Sequence, residues 1–292
     1  MSKLPVNRSD FGLGLQIQLE KRYGLDLRSL AGLRLGLAIA LLALVANHLQ
    51  FGPVYGNAAA TPLLLEGSLR FWTSELPTVV PWIHGGLLGL TAIAALFLLL
   101  GYRTRWAAIA AWLLVSLLPV QSAAAEFSSE RLLPAVLFWA MFLPLGASYA
   151  IDSALNLRQA LPSQLFTAAT LALRVRQSLV YGFWIFTLLS AEATASPLVA
   201  LYFGALLLLW TPVRTTFCRT LAVILGLLGT VLFFPAAFWL EGAVWLAFLP
   251  TAIWQSWAER CYGPPQADLR IYYDADCGFC KKVVHLLRTL LL

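Results

Sequence analysis

Eight mainly apolar stretches run through this chain, at about residues 30–49, 81–100, 105–121, 132–148, 171–190, 198–213, 218–236 and 242–258. A helix of roughly 20 such residues crosses the ~30 Å hydrocarbon layer of a bilayer. Backbone amides find no water there, so a crossing segment must close its own hydrogen bonds as a helix. The pattern predicts an all-α polytopic membrane protein with about eight transmembrane helices. Composition agrees: the 292 residues are 60% hydrophobic and 12% charged, whereas soluble domains run near half apolar and a quarter charged. Eleven Trp and seventeen Phe suit membrane interfaces and spans. The third, fourth and sixth stretches are short. Pro134 and Pro144 bracket the fourth, and proline is tolerated where neighbouring helices satisfy the released carbonyls, which puts this segment inside the bundle.

Lys and Arg set the orientation. Lys3, Arg8, Lys21, Arg22, Arg28 and Arg34 lie at or before the first stretch, and Arg103 and Arg105 between the second and third. Arg158, Arg174 and Arg176 fall between the fourth and fifth, and Arg214 and Arg219 between the sixth and seventh. Arg260, Arg270, Lys281, Lys282 and Arg288 follow the eighth, so 18 of the 20 basic residues share one side and only Arg70 and Arg131 take the other. Glu66, Glu75, Glu126, Glu130, Glu192 and Glu241 are expected on that other side. Both termini are then cytoplasmic, and a bacterial inner membrane is the expected location. The net charge of +6 follows from these loops, and no nucleic-acid partner is expected.

The expected organisation is a cytoplasmic lead-in (1–29), a transmembrane domain (30–258), a linker (259–267) and a C-terminal segment (268–292). Residues 1–29 lack the apolar run and small-residue cleavage site of a signal peptide. Within them, Phe11, Leu15 and Leu19 among polar neighbours read either as a short interfacial helix over 11–22 or as a plain lead-in. Gly263, Pro264 and Pro265 punctuate the linker. Beyond it, "LRIYYDA" has the look of a strand and "CKKVVHLLRTLLL" that of a helix.

A C-x-x-C pair, Cys277 and Cys280, stands between that strand and that helix. Strand, tight turn, C-x-x-C and helix open a thioredoxin-like fold. A helix N-terminus favours the thiolate, which is the attacking species in disulfide exchange, and the spacing lets a second thiol release the mixed disulfide. Cys277 is the expected nucleophile and Cys280 the resolving thiol. Lys281 and Lys282 favour the thiolate, while Asp274 and Asp276 oppose it by charge or cap the helix. Zinc held by Cys261, Cys277, Cys280 and His285 competes weakly with this reading, since one C-x-x-C and one His make a poor zinc signature. Cys218 reads as a small packing residue.

The run "YYDADCGFC" resembles the DCC family of thiol-disulfide oxidoreductases. That resemblance implies Asp274, Cys277 and Cys280 as site residues. It covers only about residues 268–292, and a lone βα unit cannot bury its apolar face. The expectation is an incomplete domain, in a truncated form of a longer protein.

Five segments in order, "RYGLDLRSLAGLRLGLAIALL", "LLLGYRTRWAAIAAWLLVSL", "LFWAMFLPLGASYAID", "RQSLVYGFW" and "LAFLPTAIW", resemble the HTTM family of membrane domains, related to the membrane part of vitamin K-dependent gamma-carboxylase. Gln177 and Tyr181 match a motif that in the carboxylase is followed by a Lys acting as base. Here "GFWIFTLLSAEATASP" contains no Lys, so glutamate carboxylation is not expected.

Arg34, a turn into the first stretch, is expected to reach the cytoplasmic headgroups. His48 ends the first stretch and His84 begins the second, in the same leaflet. With Glu126 or Glu130 they form a candidate metal or quinone-headgroup site, although hydrogen-bonded interfacial histidines are the commoner arrangement. No Gly-rich phosphate loop, Ser/His/Asp order or H-x-x-x-H is present, and no cofactor or metal is expected. Two functions compete. One is a membrane-bound thiol-disulfide oxidoreductase acting on a thiol or disulfide protein or small molecule. The other is a non-enzymatic protein that binds a lipid or hydrophobic small molecule, with a vestigial Cys segment.

Overall fold

A computed structural model describes residues 18–20, 22–51, 81–118, 129–155, 164–190, 197–212, 215–233, 238–262 and 283–284. Most of these are helical. The helices used below are α1 (Leu27–Phe51), α2 (Pro81–Leu100), α3 (Thr104–Leu117), α4 (Ser129–Ala140), α5 (Ile151–Leu155), α6 (Ala168–Ser190), α7 (Pro197–Trp210), α8 (Thr215–Phe233), α9 (Phe238–Leu246) and α10 (Thr251–Tyr262). Two short strands that the sequence reading did not expect, β1 (Leu25–Asp26) and β2 (Gln164–Leu165), pair antiparallel with Leu25 opposite Leu165.

Eight helices form a ring in which each packs on the next: α1, α2, α3, α4, α6, α7, α8, α9 and back to α1. A further contact between α1 and α4 closes the first four into a bundle of their own. α1 is central because its sequence gives it an inward stripe at helical spacing: Leu30, Leu33, Leu37, Leu41 and Leu44 are buried, whereas Leu35 and Ile39 face out. Small residues let the backbones approach, with Ala94 and Ala95 of α2 and Ala107, Ala108 and Ala111 of α3 all buried. On α8 the absence of a side chain is used twice. A Cβ on Gly226 would run into the Trp245 indole, and one on Gly229 into the Tyr202 ring.

Among the described residues, two helices are long and apolar enough to cross a membrane, Leu27–Gln50 and Thr215–Leu232. His84–Leu100, Thr104–Leu117 and Val199–Trp210 are shorter apolar helices. By this measure the expected count of about eight is corrected to two. Two of the expected spans fail for visible reasons. The fourth stops at Ala140, ahead of Pro144, which disfavours helix at the residue before it. The eighth breaks at residues 247–250 into α9 and α10, with Pro250 leading into α10. α10 also runs into the expected linker, to Tyr262. It turns Gln255, Ser256, Trp257, Glu259 and Arg260 outward. Its inner side is tied down by Trp254 Nε1 donating to Ser29 Oγ at 2.7 Å and by Gln164 Nε2 donating to Thr251 Oγ1 at 2.8 Å.

The residues after α4 are held by charge. Arg34 does not reach outward as expected. It is buried and donates to the Tyr149 carbonyl at 2.6 Å, with a longer contact to Leu145 O at 3.5 Å. The end of a helix leaves carbonyls without intrahelical partners, and a buried guanidinium supplies donors to this turn-rich segment. Asp152 then caps α3 from outside. Its carboxylate accepts from the Arg103 and Thr104 amides at 2.7 and 2.8 Å and from Thr104 Oγ1 at 3.0 Å. Arg103 itself is left-handed at φ 46 and contributes no side-chain cap.

Replacing Asp152 by Ala should cost about 1–2 kcal/mol, the usual range for losing an N-terminal helix cap. The expected result is a lowered midpoint of thermal unfolding in detergent, with Asp152→Asn recovering part of it. An unchanged midpoint for Asp152→Ala would show that the cap contributes nothing.

Candidate functional site

The polar interior lies where α6, α7, α8 and α9 meet. Arg176 and Gln177 follow one another on α6, and Glu241 sits in the first turn of α9. Arg176 Nη2 donates to Glu241 Oε1 at 2.6 Å and Nη1 to Oε2 at 3.0 Å, a two-pronged ion pair with both side chains buried. Gln177 closes the triangle. Its Oε1 accepts from Arg176 Nη1 at 2.9 Å, and its Nε2 donates to Glu241 Oε2 at 3.2 Å. Four residues on in sequence from Gln177 and from Glu241, Trp245 Nε1 donates to the Tyr181 hydroxyl at 2.8 Å. The Tyr181 ring meets Trp245 at 5.3 Å and Tyr202 at 5.0 Å, both edge to face. Tyr202 donates to the Gly229 carbonyl at 2.9 Å. These contacts join side chains of α6, α7 and α9 and the backbone of α8, so the cluster acts as a clasp across four helices.

The clasp corrects the expected placement of Glu241 opposite Arg176. Arg176 is eight residues into α6, and Glu241 is eight residues ahead of Leu249, whose carbonyl accepts from Ser29 near the start of α1. The ion pair brings both side chains to one point in the bundle, so they do not lie on opposite sides of it. α9 is too short to carry Glu241 to the far side. Arg34, Arg174, Arg176 and Arg219 are likewise buried, so these four are interior residues rather than loop charges.

A second cationic group lies closer to that end. Arg174 and Arg219 are 2% and 5% exposed. Arg174 Nη2 donates to Tyr23 O at 3.4 Å, and Arg219 Nη2 donates to the adjacent Gly24 O at 2.7 Å. The Arg174 guanidinium also lies over three rings, at 5.0 Å from Tyr23, 5.7 Å from Trp210 and 5.8 Å from Phe248.

At the other end of α1, the expected histidine pair does come together. The His48 and His84 rings are 5.6 Å apart and both residues are buried. His48 Nδ1 donates to Leu44 O at 3.0 Å, which places the lone pair of a neutral ring on Nε2. Two imidazoles give two metal ligands, and a structural zinc site takes four. No group of three or more metal-ligating side chains occurs among the described residues. The side chains of Glu126 and Glu130, the other two members of that candidate site, lie outside the described residues, as do Asp274, Cys277, Cys280, His285 and the Cys261 side chain. Cys218 is partly buried on α8 and makes no disulfide.

Comparison with protein-family models, with curated proteins and with solved structures gives no match.

Sequence reasoning singled out Gln177 and Tyr181 but missed their partners, Glu241, Trp245 and Tyr202. The available signal was spacing. Glu241 and Trp245 are four apart, as are Gln177 and Tyr181, so each pair lies on one helix face.

Glu241→Ala would leave the Arg176 charge buried without its partner, and such a loss costs about 3–5 kcal/mol. The double change Arg176→Met with Glu241→Leu should be markedly less harmful, because neither charge is then stranded. Thermal unfolding of the three proteins checks this; equal losses for the single and double variants would contradict it.

Proposed function

We propose that the chain is an integral membrane protein whose helical bundle carries a cytoplasmic thiol-disulfide exchange segment. The observation that carries the membrane reading is the inverted polarity of the helices. Large apolar side chains point outward, among them Leu90 at 54%, Phe186 at 67% and Ile224 at 55% exposure, while four arginines and Glu241 are buried. In water such an outer surface is a liability, whereas lipid covers it at no cost.

Sidedness draws support from one end of the bundle. β1 just before α1, the α2–α3 turn, α5, β2, the first turn of α8 and the α9–α10 turn are joined there by the Asp152, Arg219, Ser29 and Gln164 contacts. Arg28, Arg103 and Arg105 lie in or beside these segments. Basic loops mark the cytoplasmic side. On this reading several of the helices span the membrane, and α10, with Trp254 and Trp257 on it, is an interfacial helix leading out to the C-terminal segment.

The chemistry proposed for that segment is a two-step exchange. The Cys277 thiolate attacks one sulfur of a substrate disulfide, forming a mixed disulfide and expelling the other sulfur as a thiolate. The Cys280 thiolate then attacks the Cys277 sulfur, releases the second substrate thiol and leaves a Cys277–Cys280 disulfide. Two electrons pass from the pair to the substrate, and a cytoplasmic thiol pool restores it. Asp274 is assigned to this segment by the DCC resemblance.

Cys280→Ser should trap the first step. With glutathione disulfide as probe, intact-mass measurement is expected to find the adduct accumulating on Cys277 in Cys280→Ser but not on Cys280 in Cys277→Ser. Equal labelling of the two single variants would sink the assignment of nucleophile and resolving thiol.

A further inference from the structure

We propose that Arg174 and Arg219 form a binding site for a phosphate-type anion at the cytoplasmic end of the bundle, walled by the rings of Tyr23, Trp210 and Phe248. Three observations carry this. First, both guanidiniums are almost wholly buried, and burying a charge is costly unless an opposite charge accompanies it. Arg176 solves that problem with Glu241; among the described residues that is the one ion pair, and neither Arg174 nor Arg219 has a described carboxylate within ion-pair distance. Asp26, nearby in sequence, takes the Arg28 amide on Oδ1 at 2.7 Å and keeps Oδ2 buried without a hydrogen-bond partner, outside ion-pair distance of both arginines.

Second, the donors are underused. A guanidinium offers five N–H groups in a fixed fork suited to phosphate oxygens. Among the described residues Arg174 makes one hydrogen bond, at 3.4 Å, and Arg219 one, at 2.7 Å. The Nε atoms of both are buried and have no hydrogen-bond partner. Both arginines bond consecutive carbonyls, Tyr23 O and Gly24 O, so the two forks are neighbours and one anion can receive both.

Third, the position suits an anion that arrives from a headgroup layer. Arg174 is six residues into α6 and Arg219 four into α8, about 9 and 6 Å from the ends of those helices. The headgroup layers add roughly 5–8 Å on each side of the hydrocarbon core. Trp210, one of the rings over which Arg174 lies, is 38% exposed and fixed by Nε1 donating to Ser178 Oγ at 2.8 Å. The site is therefore one ring away from the outer surface. The ligand chemistry is a phosphate monoester or diester, whether the headgroup of an anionic phospholipid or free inorganic phosphate.

The lipid source rests on the membrane reading of the bundle; the anion site itself does not. The full chain is purified in a neutral detergent. Its unfolding midpoint is measured with added phosphatidylglycerol, with phosphatidylcholine and with inorganic phosphate alone, and bound lipid is read by native mass spectrometry. The expected result is a rise in midpoint and retained lipid with phosphatidylglycerol but not with phosphatidylcholine. Arg174→Gln with Arg219→Gln should lose both effects, and the paired Lys variants should keep a reduced rise, about tenfold weaker in affinity because a point charge replaces a fork. A comparable rise with inorganic phosphate alone identifies the free anion as the ligand. If the Gln variants fail to fold, the wild-type protein decides: no difference among the three additions overturns the site. Gln variants that fold and respond like wild type overturn it as well. Alkaline-carbonate washing of membranes separates the two claims, since extraction of the wild-type chain defeats the membrane reading while leaving the phosphate result to stand or fall alone.

Discussion

The ion pair between Arg176 and Glu241 is the contact on which the second half of the bundle depends. It joins α6 to α9, which are 65 residues apart at the two bonded positions. The same two helices meet again where Trp245 Nε1 donates to the Tyr181 hydroxyl. Gly226 and Gly229 on α8 then let Trp245 and Tyr202 close on that helix. Separating the charges in a low-dielectric interior is costly, so the four helices are held in one register rather than sliding past one another. The first half uses the same device in a different form, with Arg34 serving carbonyls instead of a carboxylate.

Both halves therefore turn charge inward and bulky apolar groups outward. The apolar outer face distinguishes this bundle from one built for water, where the outward face is charged. It also explains why α1 can be the most deeply packed helix and still carry Arg34. The guanidinium has donors to give, and the segment after Ala140, broken by Pro144, has carbonyls that need them. The short β1–β2 pair does similar work at one end of the bundle, where it fixes the start of α1 against the segment that leads into α6.

Much of the helical architecture was legible in the sequence. α1, α2, α6 and α8 start and stop within a few residues of their apolar stretches, because composition alone separates them from the charged turns. Pro144 was read as tolerated inside the bundle and Pro250 was passed over, because a window of apolar residues runs straight through both, so the fourth and eighth segments were read as longer than they are. The buried charges misled in another way. Counting Arg174, Arg176 and Arg219 as loop residues assumes that a charge lies in water. Their burial depends on Glu241, Tyr23 and Gly24, which are distant in sequence. The His48–His84 pair was found because one residue ends a helix, the other begins the next, and the two helices pack together. The partners of Gln177 and Tyr181 were missed because helix spacing shows which residues share a face but not which face it meets.

The central claim is that the apolar outer surface is covered by lipid. It is tested by placing single cysteines at Leu90, Phe186 and Ile224, and at Glu259 as a water-facing control, in a background with the four native cysteines changed to Ser. Each is treated in open membranes with a charged maleimide that does not enter lipid. The account predicts rapid labelling at position 259, and labelling at the other three only after the membrane is dissolved in denaturing detergent. Labelling at positions 90, 186 and 224 as fast as at 259 in intact bilayers would contradict it.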